Sequence, residues 1–121
     1  MKIRIEVETQ VEFDACVEAG NIAVCVSGHF VARENSSVVA WGNSSVVALG
    51  NSSVEAWENS SVVARENSSV VARGNSSVEA LGNVFIRLFR SLKITASANV
   101  IICKHGTAEE ITGGIVIEAE K

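Results

Sequence analysis

An eight-residue repeat constrains the fold of this chain more than any other feature of its sequence. Its consensus is V-x-A-z-(G/E)-N-S-S, and the valine slot is filled in turn by Val38, Val46, Val54, Val62, Val70 and Val78. The slot continues upstream through Phe30 and Ile22 and downstream through Ile86, Ile94 and Ile102. A short period sustained over this length is typical of a repeat architecture. We therefore predict a solenoid over residues 22–102 that is most regular at 30–83.

The two halves of the repeat differ in local chemistry. In V-x-A-z the constant apolar residues alternate with variable ones, which is the period of a strand, and valine favours strands. The (G/E)-N-S-S half is rich in turn formers. Its first position holds Gly at 42, 50, 74 and 82 but Glu at 34, 58 and 66, so we assign the left-handed corner conformation to the asparagine that follows. We also expect an asparagine ladder, with one serine of each pair facing inward and bonding the corner backbone.

One strand and one corner make one side of a coil. Two octads close a two-sided coil of about 16 residues, and three close a triangular coil of about 24. We favour two sides, because the inward alanine suits two closely apposed sheets. The bulkier segment 84–93 keeps the octad register, which favours a strand there over a short helix. The predicted fold class is all-β, a parallel β-solenoid (β-helix) of 4–5 coils, which makes a rod of roughly 20–25 Å.

The segments outside the repeat are expected to close the ends of a single domain that comprises all 121 residues. Residues 1–21 are assigned to N-terminal cap strands, because 2–13 alternate apolar and charged side chains. Residues 103–121 are assigned to a C-terminal loop and strand. Within them, 104–114 is predicted as a loop with one helical turn. The final strand, 115–120, closes the end or exchanges into a partner.

The variable positions x and z point outward. With two octads per coil, one face stacks Val39, Glu55, Val71 and Arg87 in its x column and Trp41, Trp57, Arg73 and Phe89 in its z column. The other face stacks Val31, Val47, Val63, Glu79 and Thr95 beside Arg33, Leu49, Arg65, Leu81 and Ser97. An apolar strip that contains two tryptophans is typical of an interaction site, and Trp and Arg are favoured at interface centres.

This strip supplies the candidate interface, which consists of Val39, Trp41, Trp57, Val71, Arg73 and Phe89. Its simplest occupant is another copy of the chain, so we expect a homo-oligomer; a different protein partner would be of unknown identity. The alternative is that Trp57, Arg73 and Phe89 satisfy one another as a cation–π ladder, while the terminal segments fold over the rest.

Residues with catalytic or metal-binding chemistry are scattered along the chain. Cys25 with His29 and Cys103 with His105 offer four soft ligands of the kind that zinc takes, but the two pairs lie at opposite ends of the predicted solenoid. The serine pairs have no activating base nearby in the repeat. We therefore predict no catalytic residue, no metal site and no cofactor, and we expect that the protein is not an enzyme.

Charge and composition disfavour two classes of partner. The net charge is −4 without a basic face, so nucleic acid is not an expected partner. Neither a signal-peptide run nor an apolar stretch of membrane-spanning length is present in the sequence, so we expect no membrane partner and a cytoplasmic location. The three cysteines, an odd number without a framework, fit reduced thiols.

The block ENSSVVAWGNSSVVALGNSSVEAW (34–57) resembles the octapeptide-repeat β-solenoid proteins of phage and bacterial genomes, most of which have no known function. More distantly, its rhythm is similar to that of bacterial ice-nucleation repeats, although the threonine columns of ice-binding faces are missing. The resemblance covers residues 30–102 and implies the fold and a phage-type origin, not an activity.

Three functions follow as expectations. The first is a small structural or protein-interaction module, a self-associating β-solenoid that presents the Trp/Val face. The second, motivated by the phage-like resemblance and the small size, is an inhibitor that binds and occludes a host protein, as antagonists of host defence do. The third is an enzyme with a composite site formed in an oligomer.

Overall fold

The computed structural model describes residues 3–118, except for the side chains of residues 91, 92 and 107–109. Its elements in chain order are β1 (Arg4–Val7), α1 (Gln10–Glu18), β2 (Ile22–Ala32), β3 (Ser37–Ala48), β4 (Ser53–Ala56), β5 (Ser61–Ala64), β6 (Ser69–Ala72), β7 (Ser77–Ala80), β8 (Phe85–Ala96), β9 (Ile101–Thr112) and β10 (Ile115–Glu118). The strands form one parallel sheet, wound into a β-solenoid of about seven turns with roughly 16 residues per coil. This confirms the predicted fold class.

Each coil has two flat sides, named side A and side B. Side A contains β1, β4, β6 and β10 with the first parts of β2, β3, β8 and β9, and side B contains β5, β7 and the second parts of the same four long strands. Along each side a strand pairs with the strand one coil away, so Val38 lies beside Val54 and Val46 beside Val62. These partners are two octads apart, which confirms two sides per coil; a triangular coil would pair residues three octads apart.

The core is a double row of valine and alanine between the two sides. Each consensus valine is at most 3% exposed, and each consensus alanine is fully buried. Towards the C-terminal end the rows change to larger side chains, and the completely buried ones are Ile86, Leu88, Ile94 and Ile102. Burial of an aliphatic side chain of this size contributes about 1.5–3 kcal/mol. The strand predicted over 84–93 in octad register is therefore confirmed by β8, whose Ile86 lies beside Val70.

The corners correct one prediction: the left-handed residue is the one at the G/E position, not the asparagine. The glycines with positive φ there are Gly42, Gly50, Gly74 and Gly82, and the glutamates are Glu34, Glu58 and Glu66. The asparagine side chains are exposed outside the corners. We did not assign the left-handed conformation to the G/E position because glutamate occupies it in three repeats, and that conformation costs a residue with a side chain about 1–2 kcal/mol. The coil needs its reversal at that position whichever residue occupies it, and the carboxylate of Glu66 recovers a hydrogen bond, at 2.9 Å, from the Gly50 N–H.

Glycine and glutamate alternate along each row of corners. One row reads Glu34, Gly50, Glu66, Gly82, and the other reads Gly42, Glu58, Gly74. A β-carbon added at Gly74 would lie 2.6 Å from the backbone nitrogen of Glu58. Two glutamates on adjacent coils would also hold like charges at about the 4.8 Å strand spacing. The alternation relieves both the crowding and the repulsion.

The first serine of each pair turns into the corner, as predicted. These serines are at most 3% exposed, whereas the second serine of each pair is half-buried or exposed. The hydroxyls of Ser36, Ser44 and Ser68 donate to the backbone carbonyl three residues earlier, at 2.6, 2.9 and 2.9 Å. In these three corners the serine ties the backbone from inside, whereas the buried hydroxyls of Ser52 and Ser60 have no hydrogen-bond partner among the described residues.

The N-terminal end is closed by a strand and a helix, whereas we assigned 1–21, and 2–13 in particular, to cap strands. β1 pairs with β2, but α1 follows it. The capping-box sequence T-x-x-E begins α1: the Glu12 N–H donates to the Thr9 hydroxyl at 3.1 Å, and the Glu12 carboxylate accepts from the Glu8 N–H at 2.7 Å. Gly20 ends the helix in a Schellman motif. These local signals outweigh the alternating pattern. Among residues 3–118, no helix is long and apolar enough to cross a lipid bilayer.

The register differs by one residue at the start of the solenoid. We placed Ile22 in the valine slot, but Ala23 is the residue beside Val38. The difference arises at the first corner, where β2 has one residue between Cys25 and Ser27 and β3 has two between their partners Ala40 and Asn43. From Phe30 onward the predicted register holds. A single irregular corner thus shifts only the strand that precedes it.

The C-terminal end continues the solenoid further than predicted. β9 runs as a strand through most of residues 104–114, where we expected a loop with a helical turn. β10 supplies the strand predicted over 115–120 as far as residue 118, and residues 119–121 lie outside the described part. With β1 and β10 included, the solenoid has about seven turns instead of 4–5. The rod is then about 34 Å long at about 4.8 Å per strand.

Gly74→Ala is expected to destabilise the chain more than Gly20→Ala. Both glycines have left-handed φ values, 64° and 83°, so both substitutions cost about 1–2 kcal/mol of unfolding free energy. Only at Gly74 does the new β-carbon also press on backbone; none of the described atoms lies within 4 Å of it at Gly20. Denaturant unfolding followed by circular dichroism measures both losses. Equal losses would show that crowding between stacked corners is unimportant.

Candidate functional site

A column of ring and guanidinium side chains runs along side A, and we name it the ladder. Its members are Trp41, Trp57, Arg73, Phe89 and His105. Each follows the inward alanine slot of its coil, and the parallel pairing of successive coils stacks these positions on one another. The ladder is therefore a direct product of the repeat, because residues two octads apart in sequence become neighbours in space.

The ladder members contact one another along its whole length. The rings of Trp41 and Trp57 stack with centroids 4.9 Å apart and planes at 4°. The Arg73 guanidinium carbon lies 4.9 Å from the ring centroid of Trp57 and 4.3 Å from that of Phe89. Phe89 in turn stacks on His105 at 4.8 Å. A cation is thus held between two aromatic faces within a continuous stack.

Two charged side chains of the x column frame the ladder. The Glu55 carboxylate accepts a hydrogen bond from the indole N–H of Trp57 at 2.8 Å, which orients that ring. Arg87 is exposed, and its guanidinium carbon lies 5.8 Å from the Phe89 ring centroid. Val71 lies between them, one coil from each. The strip therefore carries an acid on one side of Val71 and a base on the other.

The structure brings five of the six predicted interface residues together at the surface. The first four ladder members are half-buried, and so is Val71 beside them. Val39 differs: it is only 4% exposed, flanked on the adjoining strands by Val24 and Glu55. We predicted an outward-facing valine there, but in the isolated chain it offers a partner almost no surface.

His105 is a member of the ladder that we missed. It lies within 104–114, which we assigned to a loop, so we gave it no place in a column. Its position 16 residues after Phe89 was the available signal, since that spacing continues the z column. The pairing of Glu55 and Arg87 about Val71 was also readable from their spacing, but we treated them only as members of a column.

The cation–π ladder that we weighed as an alternative to an interface is present. The second part of that alternative, terminal segments folded over the strip, is not what the described residues show. α1 packs on β1 and β2 at one end of the solenoid, and β10 pairs with β9 at the other. The ladder members therefore contact one another as that alternative requires, although the buried Arg73 Nε has no hydrogen-bond partner among the described residues. The outer edge of the ladder still faces outward from side A.

The two Cys/His pairs do not come together. Burial, with a smaller effect of the neighbouring Cys16, raises the pKa of Cys25 from 9.0 to about 12, so this thiol stays protonated and is a poor ligand. Cys103 Sγ lies 3.7 Å from His105 Nε2, but β9 is five strands from β2, about 24 Å. Within the described part of the chain, no three His, Cys, Asp or Glu side chains are grouped as metal ligands would be.

Arg73→Met is expected to destabilise the fold more than Arg65→Met. Arg65 is the matched control, because it occupies the same repeat position on side B, in a row with Leu49 and Leu81. Methionine keeps the apolar stem at both sites and removes the charge. Only Arg73 loses two aromatic partners, so its substitution should cost about 1 kcal/mol more in unfolding free energy. Equal losses in denaturant unfolding would contradict a stabilising ladder.

Alkylation of the folded chain is expected to modify Cys103 and to spare Cys16 and Cys25. Burial raises the pKa of both Cys16 and Cys25, and the reactive species is the thiolate. Because only the unfolded Cys25 thiol ionises between about pH 9 and 12, stability should fall as the pH rises through that window. Iodoacetamide labelling read by mass spectrometry, with denatured chain as the control, checks which of the three cysteines is modified. Rapid native labelling of Cys25 would contradict it.

Comparison of the chain with protein-family models, with curated proteins and with solved structures finds no match. The likeness to octapeptide-repeat solenoids therefore stays an expectation from the repeat itself. A function has to be argued from the ladder, the charges beside it and the two ends of the rod.

Proposed function

We propose that this chain is a structural protein-interaction module, not an enzyme, and that it associates with a second copy of itself through side A. The docking strip consists of the ladder together with Glu55, Val71 and Arg87. The observation that carries the proposal is the ladder: five stacked side chains that hold one another in place on a flat sheet.

The first reason to assign docking to the ladder is that its side chains are already fixed before a partner binds. Association normally costs about 0.5–1.5 kcal/mol for each flexible side chain that becomes fixed. Trp57 is already fixed by Trp41 on one face, by Arg73 on the other and by Glu55 at its indole N–H. A partner that binds the strip therefore immobilises little that is free.

The composition of the strip is the second reason. Trp, Phe and Arg are enriched in interfaces, and Trp and Arg are among the residue types whose truncation weakens binding most. The corresponding row on side B holds Arg33, Leu49, Arg65, Leu81 and Ser97, without an aromatic ring. Side A is therefore the side that supports docking.

The charges beside the ladder favour a second copy as the occupant. Glu55 and Arg87 lie one coil below and one coil above Val71. If two rods pack antiparallel, side A to side A, about a two-fold axis at Val71, Glu55 of each copy faces Arg87 of the other. The same axis sets Trp57 over Phe89, and it sets Arg73 opposite Arg73 of the other copy, where each guanidinium lies between two rings of its own chain. Apart from that pair the facing charges are opposite, which is the self-complementarity that an isologous dimer requires.

Trp41→Glu combined with Trp57→Glu is expected to abolish this association, because it places carboxylates where rings should meet. Native mass spectrometry and sedimentation at micromolar concentration measure the mass, and circular dichroism checks that the β signal is retained. A wild-type chain that stays a strict monomer would contradict the proposal. Leu49→Glu with Leu81→Glu on side B is the matched control, and it should leave the association through side A unchanged.

A reciprocal charge exchange keeps the proposal testable if the tryptophan variant fails to fold. Glu55→Arg alone and Arg87→Glu alone should each weaken association, because they oppose like charges across the two-fold axis. The double variant restores opposite charges and should recover most of the lost affinity. Absence of recovery, with both single variants folded, would rule out the antiparallel arrangement about Val71.

A further inference from the structure

The two ends of the rod are finished differently. At the N-terminal end α1 covers the first coil: Phe13 is 1% exposed and stacks on Phe30 at 5.6 Å between ring centroids. The Gln10 side chain also bonds both backbone groups of Val31, donating to the carbonyl at 3.0 Å and accepting from the N–H at 2.9 Å. This side-chain amide occupies the strand edge on side B, where a further strand would otherwise pair.

The C-terminal end lacks such a cover among the described residues. β10 pairs with β9 along one edge, and no described element pairs along the other. Its apolar residues Ile115, Val116 and Ile117 are 49%, 43% and 49% exposed. Val116 continues the inward row of the core directly after Ile102, which is completely buried. The core thus reaches β10, and none of the elements described for residues 3–118 closes it there.

The direction of the backbone groups defines what this edge can bind. The Ile115 N–H donates to the Val100 carbonyl at 2.7 Å, so Ile115 faces β9. In a parallel strand the backbone groups of successive residues point to opposite edges. The N–H and C=O of Val116 therefore point away from β9, to the free edge, with an apolar side chain on either side of them.

From this arrangement we infer that β10 pairs antiparallel with β10 of a second copy, which joins two rods at their C-terminal ends. Val116 faces Val116 of the second copy, and the two residues exchange both N–H···O=C bonds, as a hydrogen-bonded antiparallel pair does. Ile115 of each copy then faces Ile117 of the other. Glu118, which is paired with Lys104 at 3.6 Å, faces Gly114, so no like charges meet.

Other arrangements of the same edge are less favourable. A two-fold register centred on Ile117 would set Glu118 against Val116 within the core row. Head-to-tail pairing with β1 of another copy would continue the rows so that Glu118 meets Val7, which is 2% exposed beneath the N-terminal cap. In that arrangement α1 would also stand between the two rods on side B. The tail-to-tail pair is therefore a closed dimer that does not extend into a fibre.

This contact is independent of the docking strip, because it lies at an end of the rod and not on side A. If both contacts form, the wild-type chain assembles into species larger than a dimer, since each chain then has two different two-fold interfaces. Breaking the strip with Arg87→Glu should leave the end-to-end dimer. The two contacts can therefore be tested separately in one set of variants.

The test is Ile115→Lys in the Arg87→Glu background, with Ile101→Lys as the matched control. Ile101 lies next to Ile115 in the same outward row but on β9, inside the sheet, and is 38% exposed. Ile115→Lys should raise the dimer Kd at least tenfold, to a monomer at micromolar concentration, while Ile101→Lys should leave the dimer intact. Native mass spectrometry reads the masses, and circular dichroism confirms folding.

Hydrogen exchange supplies a second readout. The Val116 amide should be protected in the Arg87→Glu dimer and should exchange quickly after dilution to monomer. Val116→Pro, which removes this outward donor without touching the β9 ladder, should also dissociate the dimer. A monomeric Arg87→Glu chain, equal dissociation by Ile101→Lys, or fast exchange at Val116 in the dimer would each overturn the inference. If the wild-type chain is a dimer that Arg87→Glu leaves unchanged and Ile115→Lys dissociates, only the side A contact would be overturned.

Discussion

In-register pairing between strands two octads apart is the constraint on which the rest of this structure depends. From β3 to β7 it places like residues on like residues in the inward rows, so that a consensus valine covers a valine and a consensus alanine an alanine. Any property of one octad is thereby repeated along the rod about every 4.8 Å. The core, the serine-lined corners and the ladder are three consequences of this single rule. By the same rule, a consensus residue that packs badly against its own copy would do so in every coil.

The corner rows show how the sequence avoids such a fault. A strict copy of the octad would place glutamate over glutamate, with repelling charges and with β-carbons pressed against backbone. The chain departs from strict repetition there, and glycine occupies the alternate levels, for example Gly74 above Glu58. The tolerated glutamates show that a left-handed residue needs no glycine when the sheet fixes the turn around it. Local preference, worth about 1–2 kcal/mol, yields to the ladder of backbone hydrogen bonds on either side.

The same rule explains how much could be predicted. Wherever the repeat is regular, the period predicted the inward rows, and the small inward alanine favoured two sides over three. Together they predicted the columns, including the stack of Trp41 on Trp57. Where the chain leaves the repeat, local signals decide, and we weighed them wrongly: the capping box at Thr9 defines a helix, and β9 continues through a segment poor in valine. His105 was lost with that segment. The burial of Val39 was beyond reach for another reason, because exposure depends on neighbouring side chains and not on period.

Because each coil has two sides, it matters whether an even or an odd number of octads separates two residues: only an even number leaves them on the same side. Removing two octads from the middle of the chain shortens the rod by one level and leaves every later residue on its own side. Removing a single octad, for example residues 61–68, transfers everything after it to the opposite side. Arg73 and Phe89 would then lie across the core from Trp41 and Trp57, with the repeat still regular and the ladder divided in two. A deletion therefore preserves the sides of the solenoid only when it removes a multiple of 16 residues. A deletion of the eight residues 61–68 places Trp57 and Arg73 on opposite sides, although it brings them closer together in the sequence.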